Sequence, residues 1–316
     1  MVLTEKPLFW TNNYWAASSS ARGLRSRANH NDTDSIHLER VDGRVFVPGS
    51  ATFGGWWPAE SCNRDANYYV RLFTLLFEQF DETSWKISLP PAYFFPDIFA
   101  PQSEALLRLG GTLVNDVGSV TKRTAGDADG DGPIMSKGKK QRIRAFARDG
   151  GDIREARLAE WKEAYEVLRE NRERRGVELS MSQSEFEGSL RASPNDYKCW
   201  VAVLGNEICG AALTVEISAK ATYVFYWGDS ITGRKANAVT AIYGFLFKRL
   251  WNDGKEFLDL GKSSVEGVVD ENLLNFKAEL GAEAISQPTF SFTKKFAPGF
   301  PAEFEPERPH LTVISI

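Results

Sequence analysis

The sequence predicts an α/β protein of the α+β kind, with mixed antiparallel and parallel sheets flanked by helices and divided into two domains. Its 316 residues, 42% of them hydrophobic, exceed what one core usually fills. The second half places three β-rich runs in succession between helical segments, and the first half has a weaker version of the same order. We therefore expect a structural duplication whose first copy is degenerate.

The second half opens with two predicted helices. Leu158, Trp161, Tyr165 and Leu168 recur at helical spacing, and the segment "SQSE" from Ser182 has the capping-box pattern that opens a helix. The runs "KCWVAVL", "EICGAALTVEIS" and "ATYVFYWGD" follow, rich in β-forming residues and separated by turn residues. These three runs predict an antiparallel meander.

The meander leads into alternating helices and strands. A helix is predicted over about 236–252, followed by the buried strand "EFLDLG". The next helix begins at the N-cap Asp270 and ends at Gly281, and "TFSFTKK" is the last strand. The predicted order of the second half is α-α-β-β-β-α-β-α-β.

The first half repeats this order more faintly. "HLERVDGRVFVPG" predicts a hairpin, "WKISLPP" and "TLVNDVGSVT" predict strands, and helices are predicted from near Asn67 and near Gln102. The predicted domains are a degenerate copy over 1–135 and a copy with recognisable motifs over 136–296. The tail, 297–316, is a candidate to pack on the first domain.

Composition limits the classes of function. A formal net charge of −4 and a pI near 5.6 exclude a generally basic protein that coats nucleic acid, but they allow a local basic cleft. Three cysteines without CxxC spacing and three histidines far from any motif leave few ligands for a metal, so no metal site is expected. The sequence has neither a signal-peptide core nor an apolar run of the ~20 residues that span a membrane, so we predict a cytoplasmic location.

A charged segment joins the two halves. Its acidic part, near Asp127, imitates the start of a calcium loop but has Gly138 where the twelfth position needs a bidentate glutamate, so a solvated linker is expected. Its basic part continues at helical spacing with Lys137, Lys139, Lys140, Arg142, Arg144 and Arg148. Two interpretations remain open for these cations: a solvated helix face, or a surface that binds anions.

Three stretches of the second half carry a resemblance: "YVFYWGDS" (223–230), "FLDLGKSS" (257–264) and "LLNFKAELGA" (273–282). In this order and spacing they resemble the FemAB/FemX family of aminoacyl transferases and the related duplicated GNAT proteins, over roughly 156–292. The resemblance implies two tandem GNAT-like domains, the acyl-CoA N-acyltransferase fold. The first predicted domain resembles the family mainly in element order.

The resemblance also implies an activity. The chain is expected to be an acyltransferase that moves an aminoacyl group from aminoacyl-tRNA to an amine, forming an amide or peptide bond without a covalent enzyme intermediate. Aminoacyl-tRNA would be the co-substrate, with no further cofactor. The acceptor would be a peptide, a cell-wall precursor or a secondary-metabolite amine.

One segment departs from the GNAT pattern. Acetyltransferases carry a glycine-rich turn that holds the pyrophosphate of coenzyme A, whereas this sequence has "GDSITGRKANAV" without the two glycines. Arg234 and Lys235 still place two cations at a helix end, and they are candidate substrate-binding residues. Two alternatives therefore remain: an N-acyltransferase that uses acetyl-CoA or acyl-CoA, and a catalytically inactive binding module of the same fold.

The sequence allows two opposed interpretations of Lys277. It lies beside the apolar stripe of Leu273, Phe276 and Leu280, where an ordinary lysine extends its ammonium group to water. The resemblance instead places the family's Phe-Lys pair at Phe276 and Lys277, near the terminal phosphate and the reacting ester. Lys277 would then stabilise the oxyanion that forms as the amine attacks. Phe276 would anchor the packing or stack on the terminal adenine.

The remaining candidates lie on the third β-rich run and in the basic segment. Tyr226 and Asp229 are candidate acceptors of the amine's proton. Tyr223 and Trp227 are candidate substrate-binding residues, with Tyr223 expected on the strand face of Tyr226 and Trp227 on the other face; aromatic core packing is the alternative for the tyrosines. The basic segment supplies the candidate tRNA contacts, Lys139, Lys140, Arg142 and Arg144.

Overall fold

The computed structural model describes residues 24–30, 34–48, 51–58, 64–123, 135–293 and 311–315. The chain packs as two compact units. The first unit is drawn from Met1–Val117, Ser264–Val268 and Ile285–Ile316, and the second unit from Gly118–Ser263 and Val269–Ala284. In the described part of the chain, no helix is both long and apolar enough to cross a membrane.

The strands are β1 (Leu24–His30), β2 (Asp34–Val41), β3 (Arg44–Val47), β4 (Ser84–Ser88), β5 (Thr112–Lys122), β6 (Gly151–Glu155), β7 (Tyr197–Leu204), β8 (Glu207–Ser218), β9 (Ala221–Asp229), β10 (Phe257–Lys262), β11 (Ser264–Val265), β12 (Val268–Val269), β13 (Glu283–Thr293) and β14 (Leu311–Ser315). The helices are α1 (Ala66–Glu78), α2 (Pro96–Arg108), α3 (Lys137–Arg148), α4 (Trp161–Glu173), α5 (Gln183–Ala192), α6 (Ile231–Ala236), α7 (Ala238–Asn252) and α8 (Glu271–Glu279), with a 3-10 turn (Leu158–Glu160) before α4.

In the first unit, the strand order is β14-β1-β2-β3-β4-β13, antiparallel except for the parallel pair β3 and β4. The predicted hairpin is β2 and β3, and α1, β4, α2 and β5 follow in the predicted order. The sequence pattern missed β1 and β14, which pair with each other. Residues 311–315 of the tail therefore lie in the first unit, and 297–310 lie outside the described residues.

Local sequence explains the two helices of the first unit. Asp65 caps α1 by accepting a hydrogen bond from the backbone N–H of Tyr68 at 2.9 Å. Helix α2 begins at Pro96, not near Gln102 as predicted, because proline suits the first helical position. Gln102 is instead fully buried, and its side-chain amide bonds the backbone N–H and C=O of Trp56 at 2.8 Å each.

The second unit has the GNAT-like order that the sequence predicted. From α4 to α8 the elements run α-α-β-β-β-α-β-α, with the helix after the meander divided into α6 and α7. The division occurs at Asn237, which has a left-handed backbone with φ of 62°. The sheet order is β5-β10-β9-β8-β7-β6, and α7 packs on it through a core that includes Ile242, Leu246 and Val224. Strand β6 was not predicted.

The predicted domain boundary was 135/136, whereas the second unit begins at Gly118, within β5. Residues 118–122 of that strand pair with β10, a contact between segments far apart in sequence. The acidic linker, including Asp127, lies outside the described residues.

Strands β9 and β10 pair over a short stretch only. Their parallel register joins Ala221, Thr222 and Tyr223 to residues 257–259. Strand β9 continues to Asp229 and β10 to Lys262 without further pairing between them. The two strands therefore separate after Tyr223.

A β-bulge in β9 lies next to this separation. Leu213 of β8 pairs with Tyr226, and Thr214, the next residue, pairs with Val224, so Phe225 is an extra residue. Regular alternation would place Tyr223 and Tyr226 on opposite faces, because they are three positions apart. The extra residue places both tyrosines on one face, and it places Val224 and Trp227 on the other.

Candidate active site

A cavity of about 510 Å³ in the second unit lies at the end of β9, where this strand has separated from β10. Its walls come from α3, the end of α4, the end of β9, the α6–α7 junction and the start of α8. Trp227 and Phe276 provide aromatic surface, and four arginines line the cavity: Arg142, Arg174, Arg175 and Arg234. The carboxylates in the lining are Asp229 and Asp270. Cations therefore outnumber anions in this cavity.

Phe276 is held between two side chains. The ring of Trp227 meets it edge-on with centroids 6.0 Å apart, and the ammonium of Lys139 lies 3.9 Å from its centroid. Lys139 also pairs with Glu279 at 3.1 Å, and its side chain is only 3% exposed. Burial lowers the pKa of Lys139. In this structure, Lys139 contacts protein groups and fixes the Phe276 ring from α3.

Lys277 is 1% exposed, although its neighbours on α8 are partly open to solvent. Its Nζ donates hydrogen bonds to the backbone carbonyls of Gly261 and Lys262, at 2.8 Å each. Both carbonyls lie on β10 beyond its ladder with β9. The interpretation of Lys277 as a surface lysine with its ammonium in water is therefore wrong, and Lys277 binds the separated edge of β10 instead.

The surroundings of Lys277 disfavour its charged form. Burial, the largest cause, lowers the pKa of Lys277 to about 7, and the cations Arg172 and Arg175 act in the same direction. Asp259 and Asp270 oppose them. Lys277 thus changes charge near neutral pH, which an ordinary lysine does not do.

The other face of β9 carries the two tyrosines. Tyr226 is buried, its hydroxyl bonds the hydroxyl of Ser180, and the guanidinium of Arg172 lies 5.7 Å from its ring centroid. Burial raises the pKa of Tyr226, so its phenol stays protonated at neutral pH. Tyr223 is also buried, and its hydroxyl would be 3.3 Å from a Cβ at Gly261. The Tyr223 hydroxyl therefore lies beside the separated part of β10, whereas the Tyr226 hydroxyl is bonded to Ser180.

Asp229 lies at the end of β9, in contact with α4. Its Oδ1 accepts a hydrogen bond from Asn171 at 2.9 Å and pairs with Arg174 at 3.5 Å. Desolvation raises the pKa of Asp229, and the nearby guanidinium groups only partly offset this effect. Gly228 permits the approach of α4, because a Cβ there would be 2.8 Å from the Cβ of Asn171.

The segment after β9 is closed into a helical turn. Ser230 caps α6 by accepting from the N–H of Gly233 at 3.1 Å, and its carbonyl accepts from the N–H of Arg234 at 2.9 Å. Gly233 packs so tightly that a Cβ would be 1.8 Å from the carbonyl oxygen of Cys209. Arg234 lines the cavity, whereas Lys235 is exposed outside its lining.

The basic segment forms the helix α3, and its cations separate into two groups. Ile143 packs against Gly244 of α7, where a Cβ would be 2.7 Å away, and this contact orients the helix. Lys139 and Arg142 then line the cavity, whereas Lys140 and Arg144 do not. Sequence spacing alone did not separate these groups.

The end of α4 was missed as part of the site. The run "NRERRG" (171–176) supplies Asn171, Arg174 and Arg175 to the cavity and Arg172 to the tyrosine face. The sequence pattern identified only the end of a helix at Gly176. The cluster of three arginines just before that stop was the available signal.

No protein-family model matches the chain, and no curated relative matches it. Solved structures that are similar to it over most of its length include FemX, an L-PGS and a domain of a putative lysylphosphatidylglycerol synthetase. FemX is 12% identical with a TM-score of 0.62, covering 89% of this chain and 91% of that one. L-PGS from Bacillus licheniformis is 13% identical with a TM-score of 0.58, covering 87% and 85%.

The third is the C-terminal domain of a putative lysylphosphatidylglycerol synthetase from Agrobacterium fabrum, 12% identical with a TM-score of 0.57, covering 84% of both chains. Identities this low show a shared fold and nothing finer. The chain therefore has the fold of FemX, as the three stretches of its second half predicted.

Proposed function

We propose that this protein is an acyltransferase that moves an aminoacyl group from aminoacyl-tRNA to an amine and forms an amide without a covalent enzyme intermediate. The observation that carries the proposal is the cation-rich cavity at the separated end of β9, with Lys277 buried on the adjoining edge of β10. A donor with several phosphates and a reactive ester suits such a site. The names of the similar structures, FemX and lysylphosphatidylglycerol synthetase, agree with this class of chemistry.

The donor is assigned to the cavity on the Trp227 face of β9. Guanidinium groups bind phosphates through paired, charge-assisted hydrogen bonds, and Arg142, Arg175 and Arg234 are placed for this role. The first turn of α7, which also lines the cavity, adds backbone N–H groups without intrahelical partners. Trp227 and Phe276 offer aromatic surface to the terminal adenine.

The reaction needs positioning more than a nucleophile on the protein. The amine nitrogen attacks the ester carbonyl carbon, the C–N bond forms, and the bond to the ribose oxygen breaks with that oxygen leaving as a hydroxyl. In its charged form, Lys277 stabilises the oxyanion that precedes this break. Asp229 is the proposed acceptor of the amine's proton, because burial raises the pKa of this carboxylate and so makes it a stronger base, whereas Tyr226 stays a protonated phenol.

A coenzyme A-dependent N-acyltransferase is the second candidate. The observation that favours it is the cavity position of the α7 first turn together with Arg234, since a pyrophosphate also binds at such a helix start. Against it, the N–H groups of Gly233 and Arg234 are already bonded to Ser230, where acetyltransferases need an open turn. This difference makes the tRNA donor our first choice.

One experiment separates the candidates. The purified chain is incubated with a library of amines and either a mixed pool of radiolabelled aminoacyl-tRNA or labelled acetyl-CoA. We expect label from aminoacyl-tRNA to appear in an amide that survives mild base, which hydrolyses the remaining ester. Deacylated tRNA with free labelled amino acid is the control. Transfer from acetyl-CoA alone would establish the second candidate, and no transfer from either donor would favour a binding module.

A further inference from the structure

Arg172 has an unusual environment for a cation. It lies in the last turn of α4, partly buried, with its guanidinium 5.7 Å from the centroid of Tyr226. The structure gives its guanidinium neither a hydrogen bond nor an ion pair among the described residues. The charged neighbours that act with it on this face are Arg175 and Lys277, both cations.

The other arginines of this stretch all have anionic partners. Arg169 bonds Glu166 and Glu173, Arg174 pairs with Asp229 at 3.5 Å, and Arg175 pairs with Asp270 at 3.5 Å. Arg172 differs from them in having none. Its side chain is also more buried than that of Arg169, and this desolvation lowers the pKa of Arg172.

A partly buried cation without an anion costs free energy, since burial removes water that no protein group replaces. The carboxylates closest to this region already have other partners. Asp259 accepts from the N–H of Gly261 at 2.7 Å, and Asp270 accepts from the N–H of Leu273 at 3.0 Å. A ligand anion would offset the cost at Arg172, and a guanidinium selects carboxylate or phosphate by binding two oxygens at once.

The position of Arg172 indicates which substrate carries that anion. Its guanidinium lies against Tyr226, on the face of β9 that bears Tyr223 and Tyr226, and Arg172 is not among the residues that line the proposed donor cavity, to which Trp227 contributes from the other face. A second substrate that meets the donor ester between the separated strands approaches from the tyrosine face. That substrate is the amine acceptor.

We propose that Arg172 binds a carboxylate or phosphate group of the acceptor, so that the enzyme selects amines that carry a negative charge. The inference rests on the proposed function. Two physical effects support it. The anion orients the amine toward the ester, and the cations Arg172, Arg175 and Lys277 lower the pKa of an acceptor ammonium, which favours the neutral, nucleophilic amine.

The first test compares matched acceptors. β-Alanine and phosphoethanolamine carry a carboxylate and a phosphate. β-Alaninamide and ethanolamine are their counterparts without the anionic group, and they are called the neutral acceptors because an amide or a hydroxyl replaces the anion. We expect the wild-type enzyme to prefer at least one anionic acceptor, and Arg172→Gln to raise the KM for that acceptor by about 10- to 100-fold, since hydrogen bonds to charged groups are of that strength. The KM for the neutral acceptors should change little.

Two variants control this test. Arg172→Lys keeps the charge without the paired geometry and should recover part of the preference. Arg169→Gln removes a guanidinium from the same helix, one turn earlier, and should leave the preference unchanged. Equal KM values for charged and neutral acceptors in the wild type would overturn the inference and leave the proposed function intact. Comparison of β-alanine with phosphoethanolamine shows whether Arg172 prefers a carboxylate or a phosphate.

The second test needs no donor. The Nε–H resonance of Arg172, assigned from its loss in Arg172→Gln, is followed by NMR while β-alanine, phosphoethanolamine or their neutral counterparts are added. We expect a saturable shift with an anionic probe only. If no anionic probe shifts this resonance, the inference fails even where aminoacyl transfer succeeds. A shift without any transfer would instead count against the proposed function.

Discussion

Two clusters of charged side chains, one in each unit, differ in how completely they are paired. In the first unit, Asp34 is 0% exposed, and its two oxygens accept from Arg64 at 2.9 Å and from the hydroxyl of Tyr68 at 2.6 Å. His30 lies 3.1 Å from the same hydroxyl. In the second unit, the cations around the end of β9 outnumber their carboxylates, and Arg172 has no carboxylate partner in the part of the chain that the structure describes.

The difference separates two uses of buried charge. A cluster in which every charge has a partner holds its own chain segments together, and here it joins α1 to β2. A cluster with surplus cations is balanced only when an anion enters. The first cluster should therefore govern stability, and the second should govern binding and rate.

The largest expected effect comes from breaking the paired cluster. Asp34→Asn leaves Arg64 without its carboxylate, and we expect the free energy of unfolding to fall by about 3–5 kcal/mol, the usual cost of removing one partner of a buried ion pair. Denaturant unfolding measures this loss. Glu82→Gln, which removes a more exposed pair with Arg40 at 3.5 Å, is the control and should cost less than about 1 kcal/mol. A similar loss for both variants would contradict the distinction.

The next effect concerns Lys277. Lys277→Met removes the cation proposed to stabilise the oxyanion, so the single-turnover rate should fall by on the order of a hundredfold. The variant also leaves the carbonyls of Gly261 and Lys262 without their donor, and we expect about 1–3 kcal/mol of lost stability. Melting temperature and rate are measured together. A rate near wild type in the folded variant would remove Lys277 from the mechanism.

The pH dependence of the reaction rate tests the role of Lys277 further. If charged Lys277 stabilises the oxyanion, the rate should fall as pH rises through about 7, the pKa to which burial lowers this lysine. Methoxyamine is a suitable acceptor for this measurement because it stays uncharged across the range. A rate that instead rises through this pH would identify the neutral amine as the active form.

The lowered pKa of Lys277 also makes the free energy of unfolding depend on pH, and the sign of this dependence can be measured separately by denaturant unfolding at several pH values. Between about 7 and the ordinary lysine value of 10.5, the unfolded chain holds a proton that the folded chain has released. The contribution of Lys277 to stability therefore rises with pH across this window and is lost as pH falls toward 7. Lys277→Met should remove this dependence.

The smallest effect tests the cavity cations one at a time. Arg142→Glu should weaken tRNA binding several-fold and reduce the slope of log affinity against log salt by about 1, because one phosphate contact is lost. Arg148→Glu, on the same helix but outside the cavity lining, should change neither measure beyond a general charge effect. Filter binding over a range of salt concentrations decides this, and equal effects of both variants would mean that α3 is only a solvated helix.

The sequence predicted those features that depend on neighbouring residues. The cap at Ser182 and the helix from Asp270 to Gly281 were both predicted correctly, because each depends on residues within one or two turns. The helix of the basic segment was predicted for the same reason. The resemblance of three short stretches then predicted the fold.

The sequence did not predict contacts between distant segments. The burial of Lys277 depends on carbonyls 15 and 16 residues away, and the isolation of Arg172 depends on which carboxylates fold near it. Periodicity in the sequence identifies which face of a helix is apolar, but it does not identify the residues from distant segments that cover this face.

The bulge at Phe225 has a consequence for how such a cleft can arise. Without Phe225, β9 would be a regular strand in which Tyr223 and Tyr226 still share one face and Val224 and Trp227 the other. The additional residue thus leaves every side chain on its side of the sheet and changes only the course of the backbone, which a bulge bends and twists. The bulge therefore changes the course of β9 beside the cleft without moving any side chain of the site to the opposite face of the sheet, and β10 adds its own irregularity, a register shift between Asp259 and Lys262.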